Sequence, residues 1–284
     1  MIELSIVVVT YTEQLDVLRR CFESVMATQG LSLELIVVDN ANRPATAELL
    51  REVLPTATYV ANSENRGFAA AVNVGMRVAK GKYILLLNPD TEFLPSVLAQ
   101  MVEHLNHDTD VGIASAVIRY PDGTLQESIR RFPTFWNQLL ILFKIPHLWP
   151  HAPSLDRYMM RDVNPLITQD VESIMGAFMF ITRPLIERIG LFDERYFIWF
   201  EEVDYCKMAY DAGFKIRHYA DGEIVHKKGH TFSQLATLRK QRWIRQSLRK
   251  FMHKHYGSLP WVVLWALTPV FVVLAYGAAI IKRG

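Results

Sequence analysis

A chain of 284 residues with a hydrophobic fraction of 50% and 21% charged residues is long and apolar enough to bury a full core, which excludes a disordered or fibrous protein. The formal net charge of +2 conceals an asymmetry: all 29 acidic residues lie at or before Glu223, whereas 11 of the 31 Lys and Arg follow it. Two cysteines, Cys21 and Cys206, offer neither a disulfide framework nor metal-ligand spacing and read as buried apolar thiols.

The N-terminus has no basic segment ahead of an apolar one, because Glu3 interrupts it; no signal peptide is expected, and the globular part is expected to stay in the cytoplasm. Residues 5–9 are apolar and β-branched, Leu15, Leu18, Phe22 and Val25 recur at helical spacing, and residues 35–38 form a second short apolar run. This is a βαβ unit. The rhythm continues with a helix over 46–53, a strand over 58–60, a helix over 68–79, a strand over 83–87, a helix opened by Pro95 and a strand over 111–117. Such alternation predicts an α/β fold, a mostly parallel sheet covered by helices on both faces. The apolar strand 83–87 runs directly into Asn88-Pro89-Asp90, which delivers one carboxylate to the sheet edge where ligands of parallel sheets bind. After the first strand stands Thr10-Tyr11-Thr12-Glu13 rather than a glycine-rich loop, which weakens both a dinucleotide fold and a phosphate-loop protein.

Residues 120–172 break the rhythm with proline and aromatic residues, including Arg130-Arg131-Phe132-Pro133, and are expected to close over a site. Residues 174–181 resume strand character, and a helix follows from about residue 184. Trp199-Phe200-Glu201-Glu202-Val203-Asp204 then opens a helix that Gly213 caps, its three acids suited to the positive end of the helix dipole.

The ordered set Val7-Val8-Val9-Thr10-Tyr11, Val37-Val38-Asp39-Asn40, Asn65-Arg66-Gly67-Phe68-Ala69 with Asn73 and Gly75, Leu86-Leu87-Asn88-Pro89-Asp90, Gly176-Ala177, Phe192-Asp193 and Phe200-Glu201-Glu202-Val203-Asp204 resembles one family. It is that of the inverting family 2 glycosyltransferases of GT-A (Rossmann-like) fold, most of all their rhamnosyltransferase-like branch, and the resemblance covers residues 4–231. It implies that Thr10, Tyr11 and Asp39 contact the nucleoside, with Asn65, Arg66, Gly67 and Asn73 beside it. Asp90 matches the last acid of the metal-binding Asp-x-Asp motif, and His226 the later histidine that completes the metal or diphosphate site. The implied cofactor is Mg2+ or Mn2+. Glu202 falls where the family places its catalytic base, with Glu201 and Asp204 as alternatives, while Asn88, Arg131, Gly176 and Trp199 are expected to line the substrate. Two positions depart from the family pattern: Asn88 replaces the first metal-binding aspartate of many members, and Glu202 replaces the usual Asp.

The chemistry requires such residues. Cleaving a sugar from a nucleoside diphosphate builds negative charge on the leaving phosphate, which a divalent cation offsets, and the acceptor hydroxyl must lose a proton to a base.

Residues 259–281 contain no charge, and as one helix at about 1.5 Å per residue they would reach about 34 Å, enough for a bilayer core of about 30 Å. Trp261, Trp265 and Tyr276 suit its interfaces, and Pro269 is placed to kink it; a buried core helix or a re-entrant hairpin is the alternative to a full span. The preceding residues 233–258 carry Arg239, Lys240, Arg242, Arg245, Arg249, Lys250 and Lys254 without an acid, and are expected to form a basic helix lying on anionic lipid. Because this basic run abuts a membrane segment, nucleic acid is not expected as a partner. The expectation is thus a catalytic domain over 1–232, held at the cytoplasmic face of an inner or plasma membrane by a basic helix and a C-terminal membrane helix. It would move a hexose or deoxyhexose, rhamnose in the nearest branch, from a nucleoside diphosphate sugar to a lipid-linked saccharide. A polyprenyl-phosphate glycosyltransferase and an inactive nucleotide-sugar-binding scaffold are the alternatives.

Overall fold

The computed structural model describes residues 2–227 and 237–281. Its first half is the expected alternation: β1 (Leu4–Thr10), α1 (Leu15–Met26), β2 (Leu33–Asp39), α2 (Pro44–Val53), β3 (Thr58–Ala61), α3 (Phe68–Val78) and β4 (Tyr83–Leu87). These strands pair in parallel in the order β3-β2-β1-β4. β1 and β4 are buried along their whole length, which is why neither alternates polar and apolar residues.

Beyond β4 come β5 (Thr91–Phe93), α4 (Val97–His107), β6 (Val111–Arg119), β7 (Ile129–Arg130), α5 (Phe135–Leu142), α6 (Ile145–Leu148), α7 (Pro153–Tyr158), β8 (Gln169–Val171), β9 (Ser173–Ile174), β10 (Phe178–Thr182), α8 (Arg183–Ile189), α9 (Glu201–Asp211) and β11 (Lys215–His226). β10 enters the sheet antiparallel between β4 and β6, β11 runs parallel to β6, and β5 pairs antiparallel with the end of β11. Two apolar clusters pack the two faces, one under α1 and α4 and the other under α3, α8 and α9.

Three local differences from the sequence reading have physical causes. α4 begins at Val97 with Ser96 as its N-cap, so Pro95 precedes the helix instead of occupying its first turn. The run 174–181 is not one strand: it opens at 175–177, where the Met175 amide donates to Ser128 O and Ala177 O accepts from the Asn88 amide. β11 was masked in the sequence by Asp221-Gly222, and the structure absorbs that turn signal as a register shift between Tyr219 and Glu223.

The tail departs further. α10 (Thr237–Tyr256) is followed by two helices, α11 (Ser258–Ala266) and α12 (Thr268–Ile281), in place of the single expected membrane helix. No single helix among the described residues is long and apolar enough to cross a membrane; α11 and α12 qualify by length and composition only as a pair bent by 51°. Pro269, in the second position of α12, has no amide hydrogen to continue the ladder, and the Thr268 hydroxyl donates to Leu264 O across the break. The apolar side of α10 is buried: Leu248, Phe251 and Met252 pack against Tyr196, Leu139, Leu264 and Phe271 in a third apolar cluster. The expected domain boundary at 232/233 and the end of the His226 motif, Lys228-Gly229-His230, lie outside the described residues.

Candidate active site

The carboxyl ends of β1, β2 and β4, with the end of β11, define one rim of the sheet. The antiparallel register of β5 on β11 sets His226 opposite Thr91, and the Lys227 amide donates to Asp90 O at 3.0 Å. Residues 138 positions apart are thereby joined: His226 Nε2 lies 3.1 Å from Asp90 Oδ1 and 3.3 Å from Asn88 Nδ2. Gln126, 4% exposed, orients the ring. Its amide nitrogen donates to His226 O, so its Oε1 faces Nδ1 at 3.0 Å and accepts the Nδ1 hydrogen. Nε2 then presents a lone pair, which accepts from the Asn88 amide nitrogen and lies within 3.1 Å of the Asp90 carboxylate. A lone pair and an anion converging at this distance fit a shared cation, and an imidazole backed by an amide oxygen is the usual support of a metal-binding histidine. Among the described residues no group of three or more His, Cys, Asp and Glu converges on one point, so phosphate oxygens and water would complete any such coordination.

The nucleoside side is partly built and partly self-satisfied. Thr10 pairs with Asp39 in register, and its hydroxyl is buried without a hydrogen-bond partner among the described residues. Tyr11 is exposed beside it. Asp39 is fully buried and holds the β2–α2 turn: its carboxylate accepts from the amides of Ala41 and Arg43 and from the Tyr59 hydroxyl, each at 2.8 Å. Burial and this bond raise the Tyr59 hydroxyl to about 12. Asn65 Oδ1 accepts from the Gly67 amide, and Asn40 Nδ2 donates to Gly67 O. Gly67 is obligatory: at φ +98° a Cβ there would lie 2.4 Å from Phe197 O. Arg66 reaches Glu194 at 3.3 Å. Asn73, expected beside the nucleotide, is instead a buried clasp; it donates to Phe192 O and accepts from the Phe192 amide, which ties α3 to the 192–197 loop.

A second corner forms at the start of α9. Trp199 and Phe200 both adopt left-handed backbone conformations (φ +63° and +70°), each costing about 1–3 kcal/mol in a non-glycine residue and held only where surroundings over-determine it. Those surroundings are α10: Ser247 Oγ donates to Ile198 O, Phe200 packs on Phe251, and Trp199 on Trp243. The strained turn aims Glu201 and Glu202 inward, each with a buried Oε2 that has no partner among the described residues. Burial pushes both carboxyls above their ordinary range, Glu201 well above it, where the charge of Glu202 adds to the effect. The Arg130 charge acts on Glu202 in the opposite sense. Gly176 leaves room for Glu202, whose Cβ would stand 3.5 Å from an added Cβ.

Two expectations at this corner are corrected. Asp204 is not available as an alternative base: 1% exposed, it is held by Lys254 Nζ and His255 Nε2 at 2.7 Å each and by the Tyr196 hydroxyl, so it pins α10 to the domain. Arg131 does not line the site; its guanidinium is engaged with Asp162 and Arg157 O inside the 120–172 segment. Its neighbour Arg130 is the arginine that faces Glu202 electrostatically. Gln126 had no local signal at all, since a lone Gln in an irregular segment acquires meaning only once β11 brings His226 to it.

Residues 5–164 match the family described as Glycosyl transferase family 2. An N-acetylglucosaminyl-diphospho-decaprenol L-rhamnosyltransferase of Mycobacterium tuberculosis is 24% identical over 239 residues, covering 80% of this chain and 77% of the relative. A low-salt glycan biosynthesis hexosyltransferase, Agl10, of Haloferax volcanii is 22% identical over 230 residues, 80% of this chain and 67% of its own length. Among solved structures, the mannosyltransferase PcManGT from Pyrobaculum calidifontis, in complex with GDP-Man and Mn2+, superposes with a TM-score of 0.61 at 20% identity over 99% of this chain and 76% of that one. That likeness establishes a GT-A-like fold.

Proposed function

The chain belongs to glycosyl transferase family 2, and on that premise we propose that it is a metal-dependent inverting hexosyltransferase that moves a sugar from a nucleoside diphosphate to a lipid-linked saccharide at a membrane surface. The observation that carries the reading is the pair of corners on one rim, a close Asp90–His226 pair and a Glu202 whose buried Oε2 has no partner among the described residues. Asp90 and His226 would hold Mg2+ or Mn2+, whose charge offsets that developing on the leaving diphosphate. Thr10, Tyr11 and the Asn65-Arg66-Gly67 loop receive the nucleoside, and Asp39 keeps that rim in shape through the backbone of its own turn. Glu202 takes the proton of the acceptor hydroxyl; a carboxylate raised by burial is a stronger base than one in water, and Arg130 helps keep it ionised. Glu201 is the neighbouring acid whose proton the charge of Glu202 helps to hold, and Trp199 offers a ring beside the sugar. The lipid acceptor is supported by the decaprenol-linked substrate in the relative's name and by the bent apolar pair α11–α12, which would place the domain on the cytoplasmic face of a plasma or inner membrane.

A thermal-shift series with nucleoside diphosphate sugars, each with and without Mn2+, tests the reading. One donor class should raise the melting temperature only with metal, and Asp90→Asn should abolish the metal-dependent increment. Equal stabilisation by every donor with and without metal contradicts it.

A further inference from the structure

We infer that Arg245 and Arg249, one turn apart on α10, form a binding site for the phosphate of a membrane lipid. Arg245 keeps only 9% of its surface exposed, and its Nη1 is buried without a hydrogen-bond partner among the described residues. Arg249 makes a single long bond, 3.3 Å, to the Thr268 hydroxyl at the break between α11 and α12. The walls around the two guanidinium groups are Leu142, Leu248, Leu264 and Phe271, all apolar. Among the described residues no carboxylate pairs with either arginine, and none exists anywhere after Glu223.

Two adjacent cations, one buried and one partly buried, without a counter-charge are costly to fold, and burial holds both below the ordinary guanidinium value, Arg245 further through the charge of Arg249. Such an arrangement is understood when a ligand supplies the missing anion, and a phosphate matches the fork of a guanidinium. The apolar walls select the source. A free anion gains nothing from leucine and phenylalanine, whereas a lipid brings phosphate and hydrocarbon together. On their outer side α11 and α12 leave Leu259, Val262, Trp265 and Val273 exposed, an apolar surface on which hydrocarbon can lie. The space among these side chains is too tight to admit a phosphate as the structure stands, so binding requires local rearrangement there. The same helix serves both sites: Ser247, between the two arginines in sequence, bonds Ile198 O at the foot of the strained turn that presents Glu202.

The inference rests on the transferase reading only for the idea of a lipid-borne partner, and its test involves no transfer, so inactivity toward every donor would leave it standing. The full chain is floated with phosphatidylcholine vesicles and with the same vesicles doped with a polyprenyl phosphate. The doped vesicles should bind at least about tenfold more tightly, and Arg245→Met/Arg249→Met should remove that increment. The double variant should also melt no lower than the wild type, because two uncompensated buried charges are gone. Arg242→Gln, which removes an exposed charge from the same helix, should keep most of the increment, losing about fivefold at most. Retention of the increment by the double variant, a lower melting temperature in it, an equal loss in Arg242→Gln, or complete competition by inorganic phosphate overturns the assignment.

Discussion

The two corners of the rim hold carboxylates under opposite conditions. At the Asp90 corner every polar neighbour is arranged: Asn88, His226 and Gln126 form a chain of directed contacts that ends in one lone pair and one anion facing each other. At the Glu202 corner a strained turn turns two acids inward, each with a buried Oε2 that has no partner among the described residues. The first arrangement suits a bound cation, and the second suits a proton that comes and goes. The difference also shows in what supports each corner. The Asp90 side is built from strand ends of the sheet, whereas the Glu202 side leans on α10, a helix from the basic tail.

Breaking that support has the largest expected effect. Asp204→Asn leaves Lys254 and His255 beside a neutral amide and should lower unfolding free energy by about 3–5 kcal/mol in denaturant titrations. A change below about 1 kcal/mol would mean that α10 is not pinned there. On the metal side, Gln126→Leu frees the imidazole to rotate or exchange its hydrogen, and the affinity for Mn2+ measured by calorimetry with bound nucleoside diphosphate should fall by about 10–100-fold. The smallest effect sharpens the electrostatic contrast. Glu201 binds its proton more tightly folded than unfolded, so the stability it contributes is full below the unfolded value and is lost as pH rises through the folded one. Glu201→Gln should therefore match the wild-type melting temperature in acid and exceed it by a few degrees near about pH 8, a gap worth about 1 kcal/mol or more.

The parallel half of the sheet was legible because its signals are local. An apolar run such as residues 83–87 and a helical period such as Leu15, Leu18, Phe22 and Val25 each lie within one element, and both fall where the structure has them. Asp90 was legible for the same reason, as a turn acid after a buried strand. What was not legible depends on long-range pairing. Gln126 meets His226 across 100 residues, Asp204 meets Lys254 across 50, and Asn73 meets Phe192 across 119. In each case the residue type fits several roles until its partner is known. The tail was misread in shape for a different reason: hydropathy reports that 259–281 is apolar, but it does not weigh the loss of one helical hydrogen bond at Pro269 against the burial of Leu264 and Phe271 on α10.

The central claim is that Glu202 moves the proton while Asp90 and His226 hold the donor's metal. Glu202→Gln tests it when donor binding and sugar transfer are measured on the same preparation. Mn2+-dependent donor affinity should stay within about twofold of wild type while transfer falls by about 10²–10⁴, and the remaining rate should no longer rise with pH. Transfer near the wild-type rate with an unchanged pH profile would contradict the account.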